Sequence, residues 1–180
     1  FDEIDIPLDT VGTVTVVCGY SDSCAARFVL KDCWDEAVMN EEATNKGGYF
    51  KSKGRAHVLV DIWPHIAPEW QAIVKPRTIV EIIDGQRVEY ADPMWLPSAT
   101  DVFGPSEEGY WKDEDDSFRL AIFDKERDRV KECGDSGTYP WWLRSVHSGC
   151  AASFRSVPTG GGSSPNFAYS SYGFAPGFDI

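Results

Sequence analysis

The sequence predicts an α+β fold of short antiparallel strands, with two helices in its first half. The dipeptide Asp84–Gly85 separates two β-rich runs and suits the tight type I′ turn of a hairpin. Residues 10–20, TVGTVTVVCGY, alternate small and β-branched residues as a strand does. Sixteen glycines and eleven prolines indicate many turns. We expect a single domain over residues 1–180, in which residues 1–25 form an N-terminal strand extension.

Strand signals are followed by helix signals in the first half. ARFVL (26–30) is a second expected strand, and DEAVMNEEATNKGGYF (35–50) mixes helix and turn formers and is expected to be irregular. Apolar residues recur at helical spacing over 52–63, where Ser52 is a suitable N-cap. APEWQAIV (67–74) has a proline in its first turn, a position that helices accept.

Shorter elements and loops are expected beyond the hairpin. MWLPSATDVFG (94–104) predicts a short strand and then a helical turn capped by Ser98. EEGYWKDEDD (107–116) has the composition of a solvated, charged loop. SFRLAIFDKERDRVKECG (117–134) begins apolar and ends as a charged helix or loop.

Charge and hydropathy argue against two classes of partner. The net charge is −12, and an acidic surface repels phosphate backbones, so we expect no nucleic acid partner. The chain has no apolar run of about 18 residues, so we expect no membrane insertion. The first ten residues lack the basic region of a signal peptide. The sequence leaves open whether the chain forms a homo-oligomer.

The residue types used in catalysis and metal binding are sparse. Five cysteines without a CxxC pair argue against a disulfide framework; Cys18 and Cys24 are either bridged or free. Three scattered histidines predict no metal site. Weak calcium binding by residues 113–116 is an alternative to the solvated loop. No catalytic serine or phosphate-binding motif is present, and GDSG (134–137) is interpreted as a turn. We therefore expect no catalytic residues, no cofactor and no enzymatic activity.

The last forty residues have a composition of their own. An aromatic block, WWLRS (141–145), precedes a small, polar stretch, and FAYSSYGFAPGFDI (167–180) is again strand-like. The glycine-rich segment 158–165 is therefore expected to be a loop held at both ends and not a free linker. Tyrosines interleaved with serine and glycine are typical of antibody paratopes, which indicates a binding surface.

These segments resemble a family of C-type-lectin-fold domains that is widespread in gut bacteria and their phages and related to formylglycine-generating enzymes. The resemblance rests on LKDCW, MNEEATNKGGYFKSKGR, IVKPR, MWLPSATDVFG, WWLRS and YGFAPGFDI, in that order over residues 26–180. The family includes variable proteins of diversity-generating retroelements, in which template adenines are randomised. Randomised Asn codons never encode Lys, Glu, Gln, Met or Trp. The 27 residues 146–172 contain none of these five types.

The resemblance implies a set of diversified, ligand-binding positions and a set of scaffold positions. Diversified residues would be His147, Ser148, Cys150, Ala152, Ser153, Arg155, Ser156, Pro158, Thr159, Ser163, Ser164, Pro165, Asn166, Phe167, Tyr169, Ser170 and Tyr172. Scaffold residues would be Trp141, Trp142, Arg144, Phe154, Phe174 and Phe178, with Val157 and Ala168 interleaved on the inner face.

The resemblance also implies a function. A variable protein of this kind binds a protein or glycan on a cell surface, in receptor binding at a phage tail or in bacterial adhesion. The alternatives are a non-variable, lectin-like structural domain of a surface protein and a divergent enzyme of the formylglycine-generating type. The last alternative is weakened because Cys150 is the only cysteine in the last 45 residues, where those enzymes use a pair.

Overall fold

The computed structural model describes residues 2–180, in which strands take 36% of the residues and helices 18%. The strands are β1 (Glu3–Pro7), β2 (Thr13–Ser21), β3 (Ala26–Leu30), β4 (Asp35–Ala37), β5 (Arg77–Ile83), β6 (Gln86–Asp92), β7 (Lys131–Glu132), β8 (Thr138–Tyr139), β9 (Trp141–Val146), β10 (Ser153–Val157), β11 (Ser164–Phe167), β12 (Tyr172–Phe174) and β13 (Gly177–Asp179). The α-helices are α1 (Lys53–Ala56), α2 (Pro68–Gln71) and α3 (Ala99–Phe103). A π-helix, His57–Ile62, continues α1, and 3-10 turns occur at Trp63–His65, Ala121–Phe123, Glu126–Arg129 and Gly134–Ser136. The fold is α+β with mainly antiparallel strands, as the sequence predicts.

Two main sheets each combine early and late parts of the chain. One sheet has the strand order β1-β2-β3-β13, and the other has the order β11-β10-β9-β12-β4. Neighbouring strands are antiparallel except that β12 runs parallel to β9. The first two strands are full members of the first sheet, so the segment expected as an extension is an integral part of it.

The structure confirms the sequence predictions that depend on local backbone geometry. Asp84 (φ 51°) and Gly85 (φ 76°) both have positive φ, as the type I′ turn between β5 and β6 requires. Ser98 caps α3 in a capping box with Asp101, and Ser52 caps α1. The strand expected before Ser98 is reduced to a single bridge between Trp95 and Gly177.

The two helices expected in the first half begin where predicted but are short. α1 has four residues before the chain widens into the π-helix, and α2 has four residues after Pro68. Within residues 2–180, no helix has the length and apolar character to span a bilayer.

Large aromatic side chains lie in one hydrophobic core that includes residues of both sheets. Trp95, Trp142 and Phe178 are fully buried. Gly177 passes so close to this core that an added Cβ would lie 2.5 Å from the Phe28 carbonyl oxygen and 2.8 Å from the Trp95 ring. A glycine is required there because backbone cannot yield to a side chain.

Only part of the acidic segment 107–116 is the solvated loop that its composition predicts: residues 107–110, Lys112 and Glu114 are exposed. The side chains of Asp115 and Asp116 are less than a tenth exposed, and their carboxylates accept from Arg144 Nη2 at 2.8 and 2.7 Å. Asp116 also pairs with Arg77, whose Nη1 donates to Asp101 at 3.0 Å. The prediction is wrong for Asp115 and Asp116, because their carboxylates have buried guanidinium partners. We call Arg77, Arg144, Asp101, Asp115 and Asp116 the ion cluster.

Asp113 extends the attachment of the same segment. Its carboxylate accepts hydrogen bonds from Thr100 N at 3.0 Å, from Thr100 Oγ1 at 2.8 Å and from Ser145 Oγ at 2.6 Å. These bonds tie the acidic segment to α3 and to β9. Residues 113–116 were considered as a weak calcium site. Their aspartate carboxylates already accept hydrogen bonds from protein donors.

Replacing Arg144 by glutamine should destabilise the fold by about 3–5 kcal/mol, because Asp115 and Asp116 lose a buried counter-charge. The free energy of unfolding from urea titration measures this loss. Arg87→Gln is the control, since Arg87 pairs with Glu89 on the surface and its loss should cost at most about 1 kcal/mol. Equal losses in the two variants would contradict a stabilising role for the ion cluster.

Candidate functional site

The scaffold residues expected beneath the site are buried. Trp141, Trp142, Arg144, Phe154, Phe174 and Phe178 are each at most 2% exposed, and Val157 and Ala168 are fully buried. Trp141 Nε1 donates to the Arg129 carbonyl at 2.8 Å, and Trp142 Nε1 donates to the Ala37 carbonyl at 3.2 Å. β9 and β10 therefore form a fixed base, since both indoles are packed and hydrogen-bonded.

The residues expected to be diversified separate into three groups by burial. Exposed are Ser148, Thr159, Ser163, Pro165, Phe167 and Tyr169; partly buried are His147, Cys150, Ala152, Pro158, Ser164, Asn166, Ser170 and Tyr172; buried are Ser153, Arg155 and Ser156. We call the exposed and partly buried set the C-terminal face. Fourteen of the seventeen expected positions are thus at least partly exposed.

The expectation that the diversified positions are exposed is wrong for Ser153, Arg155 and Ser156. All three lie on β10, which is paired on both sides, with β9 and with β11. Ser156 Oγ also receives the Asn166 side-chain amide at 2.7 Å and donates to the Ser164 carbonyl at 3.2 Å. A central strand covered on both faces buries small polar residues that composition alone places at the surface.

Tyr172 also departs from the expected free surface position. Its ring packs 4.9 Å from the Trp142 ring, and its hydroxyl donates to Asn166 Oδ1 at 2.9 Å. Its backbone pairs with Ala37 on β4. Tyr172 therefore belongs partly to the base of the C-terminal face.

A shallow hollow opens on the C-terminal face and is bordered by aromatic rings. Its volume is about 260 Å³, and its lining residues are His147, Cys150, Ser153, Pro165, Asn166 and Phe167. Phe167 and Tyr169 are half exposed and stack with ring centroids 5.6 Å apart. Exposed stacked aromatics beside a hollow provide apolar contact area at low cost in side-chain entropy.

Tyr110 borders the same surface, and sequence reasoning missed it. Its ring is half exposed and lies 5.9 Å from the His147 ring, and its carbonyl accepts a hydrogen bond from Ser148 N at 2.9 Å. Tyr110 lies in the acidic segment, whose charge obscured the aromatic pair Tyr110–Trp111.

Arg155 lies beneath this surface with little compensation for its charge. Its Nη1 donates to His147 Nδ1 at 3.2 Å, its Nη2 donates to Ser163 Oγ, and its Nε has no partner. Burial lowers the pKa of Arg155. Burial also acts to lower the pKa of Arg144, but the carboxylates of Asp116 and Asp115 outweigh this effect and raise it.

A second cavity, of about 320 Å³, lies between residues 45–48 and the β5–β6 hairpin and borders Ser148. Glu81 lines it and accepts hydrogen bonds from Tyr49 N and Phe50 N, both at 2.8 Å, and from Tyr90 Oη at 2.7 Å. Burial raises the pKa of Glu81. Three donors hold this carboxylate in place, which is typical of a structural role.

Within the described residues, no three or more His, Cys, Asp or Glu side chains cluster as a metal site would require. His57 lies between Asp35 (2.8 Å) and Asp61 (2.9 Å), and its ring contacts Phe174 edge-on. All five cysteines are free, so Cys18 and Cys24 are not bridged in this structure.

Fold and surface together define an α+β domain in which a rigid sheet carries an aromatic face with a shallow hollow. Residues 25–180 match the family described as a domain of unknown function, DUF6273, and the chain belongs to that family. No curated protein and no solved structure gives a significant match.

Two tyrosines of the C-terminal face should respond differently to truncation. Tyr169→Ala should change the free energy of unfolding by no more than about 0.5 kcal/mol, because the side chain is exposed. Tyr172→Ala should cost at least about 1 kcal/mol, because it removes the contact with Trp142. Urea denaturation of both variants measures the difference, and equal costs would show that the assignment of Tyr172 to the base is wrong.

Proposed function

We propose that this chain is a ligand-binding module that uses its C-terminal face to bind a receptor, a protein or glycan on a cell surface. The observation that carries the proposal is the pair of half-exposed aromatics, Phe167 and Tyr169, beside the hollow and above a buried aromatic base. Aromatic anchors with adaptable serine neighbours suit recognition of a macromolecular surface. Such a face has no need of a catalytic group.

We propose further that the fold is C-type lectin-like and that the C-terminal face is diversified by a retroelement. The absence of Lys, Glu, Gln, Met and Trp from residues 146–172 supports diversification. Placement at a phage tail or on a bacterial cell surface follows from the same resemblance. Fourteen of the seventeen expected positions are exposed or partly buried, and substitution at the exposed ones costs little stability.

One observation favours the alternative of a non-variable, lectin-like structural domain. Ser153, Arg155 and Ser156 are buried in β10, where free substitution would disturb packing. Sequencing the locus across a population decides between the two: diversification predicts adenine-directed changes at the exposed positions, beside a reverse transcriptase gene and a template repeat. Unchanged codons at Ser163, Phe167 and Tyr169 across the population would reject diversification.

Binding through the aromatic pair is tested by the double substitution Phe167→Ala and Tyr169→Ala. Both side chains are half exposed, so the melting temperature should stay close to that of the parent chain. Affinity for bacterial cells or their extracted surface glycans should fall at least tenfold, because hot-spot aromatics contribute about 2 kcal/mol or more each. Flow cytometry with labelled protein measures the binding.

The matched control is Val60→Ala with Ile73→Ala, which removes two exposed apolar side chains that lie outside the C-terminal face. This control should bind cells as the parent chain does. A loss of binding in the control equal to that in the Phe167/Tyr169 variant would show that the interaction is non-specific and would reject the proposed face.

A further inference from the structure

Arg155 differs from the other buried arginines in the groups that surround it. Arg77 and Arg144 have similarly little accessible surface, and both pair with aspartates of the ion cluster. Within residues 2–180, Arg155 forms no ion pair with a carboxylate, although the residue is only 3% exposed. An uncompensated buried charge costs several kcal/mol, so this site favours the arrival of an anion.

The free edge of the Arg155 guanidinium is the edge that binds carboxylates elsewhere in this chain. Arg55 uses Nε and Nη2 to hold the two oxygens of Asp92 at 2.8 and 2.7 Å. Arg27 uses the same two nitrogens to hold Asp179 at 3.1 and 3.3 Å. This planar fork matches the geometry of a carboxylate.

At Arg155, the same edge is only half used. Nε is buried without a partner, and Nη2 donates to the hydroxyl of Ser163. Ser163 is an exposed residue of the glycine-rich loop, so its hydroxyl is displaced by rotation of one small side chain. A guanidinium carries five N–H donors, which leaves enough for both oxygens of an incoming group.

Two aromatic rings and one exposed loop residue surround the guanidinium. Arg155 lies 5.8 Å below the Tyr110 ring and 5.1 Å from the Trp111 ring. Tyr110 is half exposed, and it stands with Ser163 and His147 at the C-terminal face. His147 Nδ1 accepts from Nη1 and therefore does not occupy the Nε–Nη2 edge of the guanidinium.

We propose that Arg155 is a binding site for a carboxylate group of the ligand, which enters between Tyr110 and Ser163 and pairs with Nε and Nη2. The inference rests on the proposed function, because it names the chemical group that the C-terminal face holds.

Titration with sodium acetate, followed by ¹⁵N–¹H NMR at constant ionic strength, tests the site with the simplest carboxylate. In the parent chain, the backbone amides of Arg155 and Ser163 should shift saturably with acetate and not with chloride. Arg155→Gln should lower the acetate affinity at least tenfold. Equal responses to acetate and chloride, or a full response in Arg155→Gln, would overturn the proposal.

Arg129→Gln is the matched control. Arg129 is partly buried but donates to the carbonyls of Phe123, Asp124 and Gly161, so its donors are already used. Acetate binding should be unchanged in this variant, and an equal loss there would assign the effect to general charge and overturn the site. If Arg155→Gln gives no folded spectrum, Arg155→Lys keeps the charge and removes the fork. Acetate affinity should then still fall several-fold, and parent-like affinity would overturn the proposal.

Two further measurements separate the possible outcomes. Tighter binding of sulfate than of acetate would overturn the carboxylate assignment in favour of a tetrahedral oxyanion. The Phe167/Tyr169 double variant should keep the acetate response, because neither side chain contacts Arg155. Loss of cell binding with an intact acetate response supports both proposals. Intact cell binding in that variant, with a normal acetate response, rejects the proposed face and leaves the anion site standing.

Discussion

The ion cluster is the interaction on which the remaining structure depends. It joins the start of β5 (Arg77), α3 (Asp101), the acidic segment (Asp115 and Asp116) and β9 (Arg144) in one network. Burying such charges is costly, and mutual pairing offsets that cost only when every partner is present. The cluster therefore fixes β9, and β9 carries the base of the C-terminal face.

Features that depend on a few neighbouring residues could be predicted from the sequence. The hairpin turn requires positive φ at Asp84–Gly85, and the Ser98 cap requires only residues within one helical turn. The burial of the acidic segment could not be predicted, because Arg77 is 39 positions from Asp116. A run of aspartates has the same composition whether its counter-charges are solvent ions or distant arginines.

The C-terminal face was predictable in outline and not in detail. Aromatic blocks on both sides of a small, polar segment predicted buried anchors and an exposed loop, and Trp141, Phe174 and Phe167 are placed accordingly. The burial of Arg155 depends on the pairing of β10 with two strands and on cover from Trp111. Neither the strand pairing nor the cover from Trp111 can be predicted from the local sequence. Together they bury Arg155 without supplying a counter-charge.

The pairing of β13 with β3 has a consequence for how the protein reaches its native state. Arg27 and Asp179 are bonded across 152 positions of the chain, so the first sheet lacks its fourth strand until residues 177–179 have left the ribosome. Closing so long a loop costs entropy before any contact repays it, and topologies of this kind fold slowly. Until then the β3 edge, with Phe28 and Val29, lacks its partner strand and is open to pairing with another chain.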